Sequence, residues 1–322
     1  MDNISRRTFL TKGALAAVCA PALGTLFGCC GSDNGAACAK ASKPPRYKLA
    51  VTDWDAAVKG HPNPDVFETA KLAGLEGIQL SASRKDLNDI SAMSDANVAR
   101  NKKRLAETGL ACVSVCTPYS HRFTFWEDPK SYEYLCSAVD ATVALGADNM
   151  LIPFFGKKSA MNRREVDGDI KIGGEIVPEF QKAVVEKLKV VAPYAESKGV
   201  VLCLENSISA DDNIKVIDAV ASPAVKVYFD IYNVEHYGFD TVDALKKLKS
   251  GYIGQVHIKT KGGLLDKETE MPKNMEQIWD ELLDSDYSGW LVLEFQAKPK
   301  NMSRVELLKY NADALKRTKL FS

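Results

Sequence analysis

Four residues of metal-binding type stand at the ends of four successive apolar runs. Leu202-Cys203-Leu204-Glu205 ends in a carboxylate, as do Val227-Tyr228-Phe229-Asp230 and Leu291-Val292-Leu293-Glu294, while Val256-His257-Ile258-Lys259 carries an imidazole two residues before an amine. An acid that closes a single apolar strand is commonly just the residue that starts the next helix. Four such groups in order are harder to explain that way. Brought together in a semi-buried mouth without a partner, the carboxylates would repel one another, and a shared cation removes that repulsion. Glu205, Asp230, His257 and Glu294 are therefore the expected metal ligands. An oxygen-rich set with one imidazole suits Mn²⁺, Mg²⁺ or Co²⁺, with Zn²⁺ also compatible. Such an ion can chelate a carbonyl and a neighbouring hydroxyl, stabilising the enediolate formed when the intervening C–H ionises. Glu205 and Glu294 then flank that carbon as base and acid, and Lys259 is a third proton-transfer or oxyanion group if it faces inward like His257.

Such convergence requires strands whose ends meet on one face. From Tyr47 onward, short β-branched runs alternate with longer amphipathic segments, the pattern of βα units. Eight strands are expected, at Lys48–Thr52, Gly77–Ser81, Ala111–Thr117, Asn149–Phe154, Val200–Glu205, Val225–Asp230, Gly254–Lys259 and Trp290–Phe295. Helical stripes follow, clearest at Asp95–Thr108, Val177–Ser197 and Val305–Arg317. Gly109, Gly146 and Gly199 each stand between a helix and the next strand, where positive φ commonly ends a helix. Eight units in roughly 275 residues match a single-domain α/β (β/α)8 TIM barrel. An open doubly wound sheet would show a Gly-rich turn after its first strand, but Thr52-Asp53-Trp54-Asp55 follows here. Gly156–Gly174 is expected to be a charged loop over the barrel mouth.

The order Glu, Asp, His-x-Lys, Glu on the last four strands resembles the xylose-isomerase-like sugar phosphate isomerase/epimerase superfamily, which includes ketose 3-epimerases, inosose dehydratases and the apurinic endonuclease IV fold. The likeness runs from Tyr47 to the C-terminus and extends to Gly74-Leu75-Glu76-Gly77-Ile78-Gln79 and Gly146-Ala147-Asp148-Asn149-Met150. It implies that Glu205, Asp230, His257 and Glu294 are ligands and that the two glutamates also move protons. Three positions depart from the pattern. Asn233 stands where many members have the histidine of Asp-x-x-His, Thr260 follows Lys259 where many have Asp, and Gln79 replaces an acid. Asn233, His236, His121 and Trp54 are the expected substrate contacts, with Trp126 and Phe155 as further aromatic surfaces.

The N-terminus carries an address. Ser5-Arg6-Arg7-Thr8-Phe9-Leu10 is a twin-arginine pattern followed by an apolar run, Ala14–Phe27, which is interrupted by Pro21 and Gly24. That run is shorter than the roughly 20 residues that span a bilayer. Leu26-Phe27-Gly28-Cys29 resembles a lipobox, which makes Cys29 the expected lipid anchor of an exported bacterial lipoprotein. The expected organisation is a signal peptide over 1–28, a flexible tether over 29–45 and the barrel over 46–322. Contact with a membrane is expected only through this leader or its lipid. Four of the eight cysteines lie in leader and tether, and Cys112, Cys116, Cys136 and Cys203 are expected as buried small hydrophobes.

Lys plus Arg equals Asp plus Glu at 42 each, so no basic excess exists to neutralise a phosphate backbone. Four histidines are also too few for a three-metal nuclease site. The leading expectation is a metal-dependent isomerase or epimerase of an unphosphorylated carbohydrate. A lyase or hydratase acting on 3-keto-glycosides by β-elimination uses the same enediolate, and a carbohydrate-binding lipoprotein without turnover is the third alternative. A homo-oligomer is compatible with all three.

Overall fold

The computed structural model describes residues 45–57, 65–83, 88–122, 124–154, 161–166, 169–267, 271–295, 299 and 301–322, without the side chains of 121, 122, 154, 161–166 and 169–175. The twin-arginine segment, Cys29, the tether and Phe155 lie outside the described residues.

Eight parallel strands close into a barrel. They are β1 (Tyr47–Thr52), β2 (Gly77–Ser81), β3 (Ala111–Cys116), β4 (Asn149–Phe154), β7 (Val201–Asn206), β8 (Val225–Asp230), β9 (Ile253–Thr260) and β10 (Gly289–Phe295), with β10 pairing back onto β1. Each begins and ends within one residue of its expected position. Helices connect them, including Asp95–Thr108, Pro178–Ser197 and Arg304–Lys316. Gly109, Gly146 and Gly199 adopt the expected left-handed turn, with φ of 74°, 79° and 71°. The segment after β4 corrects the expectation of a loop: β5 (Met161–Val166) pairs antiparallel with β6 (Asp169–Ile176). Asp167-Gly168 between the two runs is a hairpin dipeptide, a local signal that outweighs the segment's charge.

Strand periodicity divides the side chains between two environments, because successive residues point to opposite faces. Leu202, Leu204, Val227, Phe229, Val256, Ile258, Leu291 and Leu293 join the large core between sheet and helices. Their neighbours Cys203, Tyr228 and Val292 belong to a separate small cluster inside the barrel, with Ala50, Val113, Cys116 and Leu151. Two residues beyond Cys203, Tyr228 and Val292 come Glu205, Asp230 and Glu294, so each acid inherits the inward face at the end of its strand. Cys112, Cys116 and Cys203 are buried free thiols, and burial pushes Cys112 up to about 12. Cys136 departs from expectation in being only half-buried, because it lies at the edge of its helix's packed face.

Arg46 secures the start of the barrel. Its guanidinium donates to the carbonyl of Leu283 (2.6 Å) in the last turn of the helix Met275–Asp284, where carbonyls lack intrahelical partners, and to that of Tyr287 (3.0 Å) just beyond it. At the barrel floor the packing leaves no room for a methyl at Gly77, whose added Cβ would lie 2.3 Å from Val113 Cγ1 and 3.0 Å from Trp290 Cζ3. Gly77→Ala is therefore expected to cost about 1–3 kcal/mol of unfolding free energy. Adding Val113→Ala should return part of it. Denaturant melts of the single and double variants check this, and a single variant as stable as wild type would contradict the tight floor.

Candidate metal centre

Glu205, Asp230, His257 and Glu294 converge at the C-terminal mouth of the barrel, each offering one ligand atom within 4.8 Å of the others. The distances centre on His257 Nδ1, which lies 3.0 Å from Glu205 Oε1, 3.2 Å from Glu294 Oε2 and 4.0 Å from Asp230 Oδ2. Register explains the convergence, since His257 sits beside Asp230 across the β8–β9 ladder and Glu294 beside Lys259 across β9–β10.

Asp230 performs two tasks with two oxygens. Its Oδ1 accepts from the backbone amides of Tyr232 and Asn233, both at 2.9 Å, capping the short helix Ile231–His236. Its Oδ2 is buried and accepts no hydrogen bond, although Lys259 Nζ stands 3.3 Å away. A buried carboxylate oxygen without a hydrogen bond is costly unless a cation completes it. That orphaned oxygen, in a cluster of three carboxylates and an imidazole, fits a divalent ion in its donor chemistry.

Lys259 points inward, two residues along β9 from His257, and its Nζ also lies 3.1 Å from Glu294 Oε2. Asn233 is buried and its amide donates to Glu205 Oε1 at 3.4 Å. Trp54 presents its ring edge-on to His257 at a centroid separation of 6.4 Å. His236 stacks on Tyr232 at 5.7 Å and meets Tyr237 edge-on. His121 lies in the short helix Tyr119–Arg122, and its side chain is outside the described residues. Trp126 is buried against Phe125 and Phe180.

Gln79 carries a role that the sequence showed only as a departure from pattern. It is fully buried in β2, accepts from His257 Nε2 at 3.0 Å, and donates to Ser114 Oγ at 2.8 Å and to the Tyr228 hydroxyl at 3.2 Å. The Tyr228 ring itself packs against His257, with centroids 4.2 Å apart. Imidazolium carries a proton on both nitrogens, and a neutral ring that ligates through Nδ1 keeps its proton on Nε2. Both states need an acceptor at Gln79, which assigns the amide orientation. A ligating histidine held this way presents one tautomer to the ion.

Charge sets the protonation of the centre. Burial works against the imidazolium, but Glu294 and Glu205 beside it outweigh that and hold His257 up to about 10. Burial pushes Asp230 up to about 7, with Lys259 pulling the other way. Glu294 stays well below the usual carboxylate range despite its burial, because His257 and Lys259 face it. In metal-free protein the two raised groups act with the same sign. The His257 contribution is full below the unfolded value of about 6.5 and is lost as pH rises through about 10. Asp230 begins to oppose folding above about 4 and does so fully once pH has risen through about 7. Because His257 must lose its Nδ1 proton to become a ligand, Mn²⁺ uptake at pH 7.5 is expected to expel about one proton. Calorimetry in buffers of different ionisation enthalpy counts it, and a count near zero would mean that His257 starts neutral.

A family model described as a xylose isomerase-like TIM barrel matches residues 67–318. The 2-epi-5-epi-valiolone 7-phosphate 2-epimerase of Actinoplanes sp. is 27% identical over 94 residues, which cover 26% of this chain and 35% of that enzyme. Its length is thus spanned only to about a third. D-allulose 3-epimerase from Methylomonas sp., solved with D-allulose, matches with a TM-score of 0.63 and 17% identity over 85% of this chain and 98% of that one. The 3-keto-D-glucoside 4-epimerase of E. coli matches with a TM-score of 0.62 and 17% identity, covering 84% and 100%. At such identities the likeness to solved structures is one of fold. With the closed eight-stranded barrel and a family match over most of its length, the chain belongs to the xylose isomerase-like TIM barrel family.

Proposed function

We propose that this protein is a divalent-metal-dependent isomerase or epimerase that moves a proton next to the carbonyl of an unphosphorylated carbohydrate. The observation that carries the reading is the convergence of Glu205, Asp230, His257 and Glu294, with Lys259 inside the same cluster. Structural neighbours that act as sugar epimerases support the class of reaction. When bound, a divalent ion supplies Lewis-acid stabilisation of the negative charge that builds on the carbonyl oxygen.

The remaining steps fall to side chains. Glu205 on β7 and Glu294 on β10 approach the centre from opposite sides of β8 and β9. One withdraws the proton from the carbon beside the carbonyl, and the other returns a proton on the opposite face or at the neighbouring carbon. The Asn233 amide orients Glu205 through Oε1. Lys259 donates to the oxygen on which charge develops, where a fixed ammonium in a water-poor mouth is most effective. Trp54 bounds one side of the space next to His257 and offers an apolar surface to a sugar ring.

The twin-arginine leader and Cys29 belong to the same reading, that of an exported lipoprotein meeting sugars rather than sugar phosphates. No strand end among the described residues carries an arginine suited to phosphate. β-Elimination from a 3-keto-glycoside is the second reading. It is favoured by Asn233, a residue that cannot exchange a proton at neutral pH, standing beside Glu205 in place of the histidine common in the family.

Incubation of Mn²⁺-loaded protein with free ketoses and 3-keto-glycosides in deuterated water separates these outcomes. Deuterium in recovered sugar is expected. Release of an aglycone would favour elimination, and no exchange with any substrate class would leave a binding protein. Glu294→Gln is expected to slow exchange by at least about 100-fold, the usual scale for a general acid or base, while the protein remains folded by circular dichroism. Undiminished exchange in that variant would remove Glu294 from the proton path.

A further inference from the structure

Lys259 lies among the ligands without being one of them. Its side chain is 7% exposed, and its Nζ lies 3.1 Å from Glu294 Oε2 and 3.3 Å from Asp230 Oδ2. The Asp230 contact is informative because that carboxylate has a single oxygen to spare. Oδ1 is occupied by the amides of Tyr232 and Asn233, so Oδ2 is the oxygen left for an ion, and it is the one that Lys259 faces. Glu294 Oε2 is likewise shared, with His257 Nδ1 at 3.2 Å and Lys259 Nζ at 3.1 Å. An ammonium and a divalent ion would therefore draw on the same two oxygens.

Resting on the metal-site reading above, we infer that Lys259 is a tethered resident cation, which neutralises Asp230 and Glu294 in the metal-free protein and leaves Asp230 Oδ2 when a divalent ion enters. Displacement frees the ammonium for the substrate oxygen, so occupancy of the metal centre and readiness of the Lys259 donor are coupled. The charges support the assignment. One positive charge from Lys259 and two from the ion cancel three carboxylates beside a neutral imidazole, which matches the pocket to a divalent rather than a trivalent ion. The same ammonium weakens the ion's hold, because like charges a few ångströms apart in a partly desolvated site repel strongly. A resident cation thus keeps the carboxylates from repelling one another before loading, and it keeps the ion exchangeable afterwards.

Calorimetric titration with Mn²⁺ of wild type, Lys259→Met and Lys259→Arg tests this. Lys259→Met is expected to bind Mn²⁺ at least about tenfold more tightly than wild type, and Lys259→Arg no more tightly. The rise in melting temperature on adding Mn²⁺ should also be larger for Lys259→Met. Equal or weaker binding by Lys259→Met would overturn the inference, leaving Lys259 as a strut for the carboxylates. Should that variant fail to fold without an ion, crystal structures of the wild type grown with chelator and with Mn²⁺ decide the matter. Nζ is expected to move away from its 3.3 Å contact with Asp230 Oδ2 in the loaded form, and an Nζ that keeps that contact with Mn²⁺ present would equally overturn it. Wild type that binds no Mn²⁺ at all would instead remove the metal reading beneath this one.

Discussion

Three carboxylates meet in a mouth where Glu205 and Asp230 are buried and Glu294 nearly so, and their mutual repulsion is the constraint to which the surrounding residues respond. Left alone, such a group would take up protons or push apart. Here His257 lies between the acids and Lys259 bridges two of them, so two potential cations face three acids. The barrel backbone holds the arrangement, because parallel ladders on both sides of each strand fix where its terminal side chain stands. The donor set of three carboxylates and an imidazole fits a divalent ion as the cation that would complete this balance.

That constraint reaches below the site. Gln79, Ser114 and Tyr228 form a polar layer inside the barrel beneath His257, each buried and each bonded to the next. A buried polar network is stabilising only when its members are satisfied. The layer has a direct consequence for the ring above it, since the acceptor on Nε2 directs Nδ1 toward the acids. A neutral amide in that place orients the imidazole without adding a fourth negative charge to a centre that already holds three. Asn233 has a similar relation to Glu205, steadying an acid while contributing no charge of its own.

The fold is shared with many sugar epimerases, so the barrel alone says little about which reaction occurs in its mouth. The residues around the candidate quartet say more: amides at 79 and 233, where the sequence departs from the pattern it resembles, and an inward lysine at 259 facing Asp230 and Glu294. All three bear on how charge and protons are distributed around those four side chains.

Much of this was legible before any tertiary structure. Apolar runs of strand length ending in Glu205, Asp230, His257 and Glu294 declare both the elements and the inward face, because a period of two ties each terminal group to the residue two positions before it. The eight strand positions follow from the same local rule, and Gly109, Gly146 and Gly199 mark the helix ends by their backbone freedom alone. Other features depend on residues far apart in the chain. Gln79 meets His257 across 178 positions, and only closure of the barrel brings β2 into reach of β9. The hairpin of β5 and β6 is local and was signalled by Asp167-Gly168, but its charged composition masked the signal. The division of labour between the two oxygens of Asp230 also required the fold. A sequence can nominate an acid as helix cap or as ligand, whereas which oxygen turns toward the helix and which toward Lys259 is set by the packing of β8 against β9 and the helix that follows.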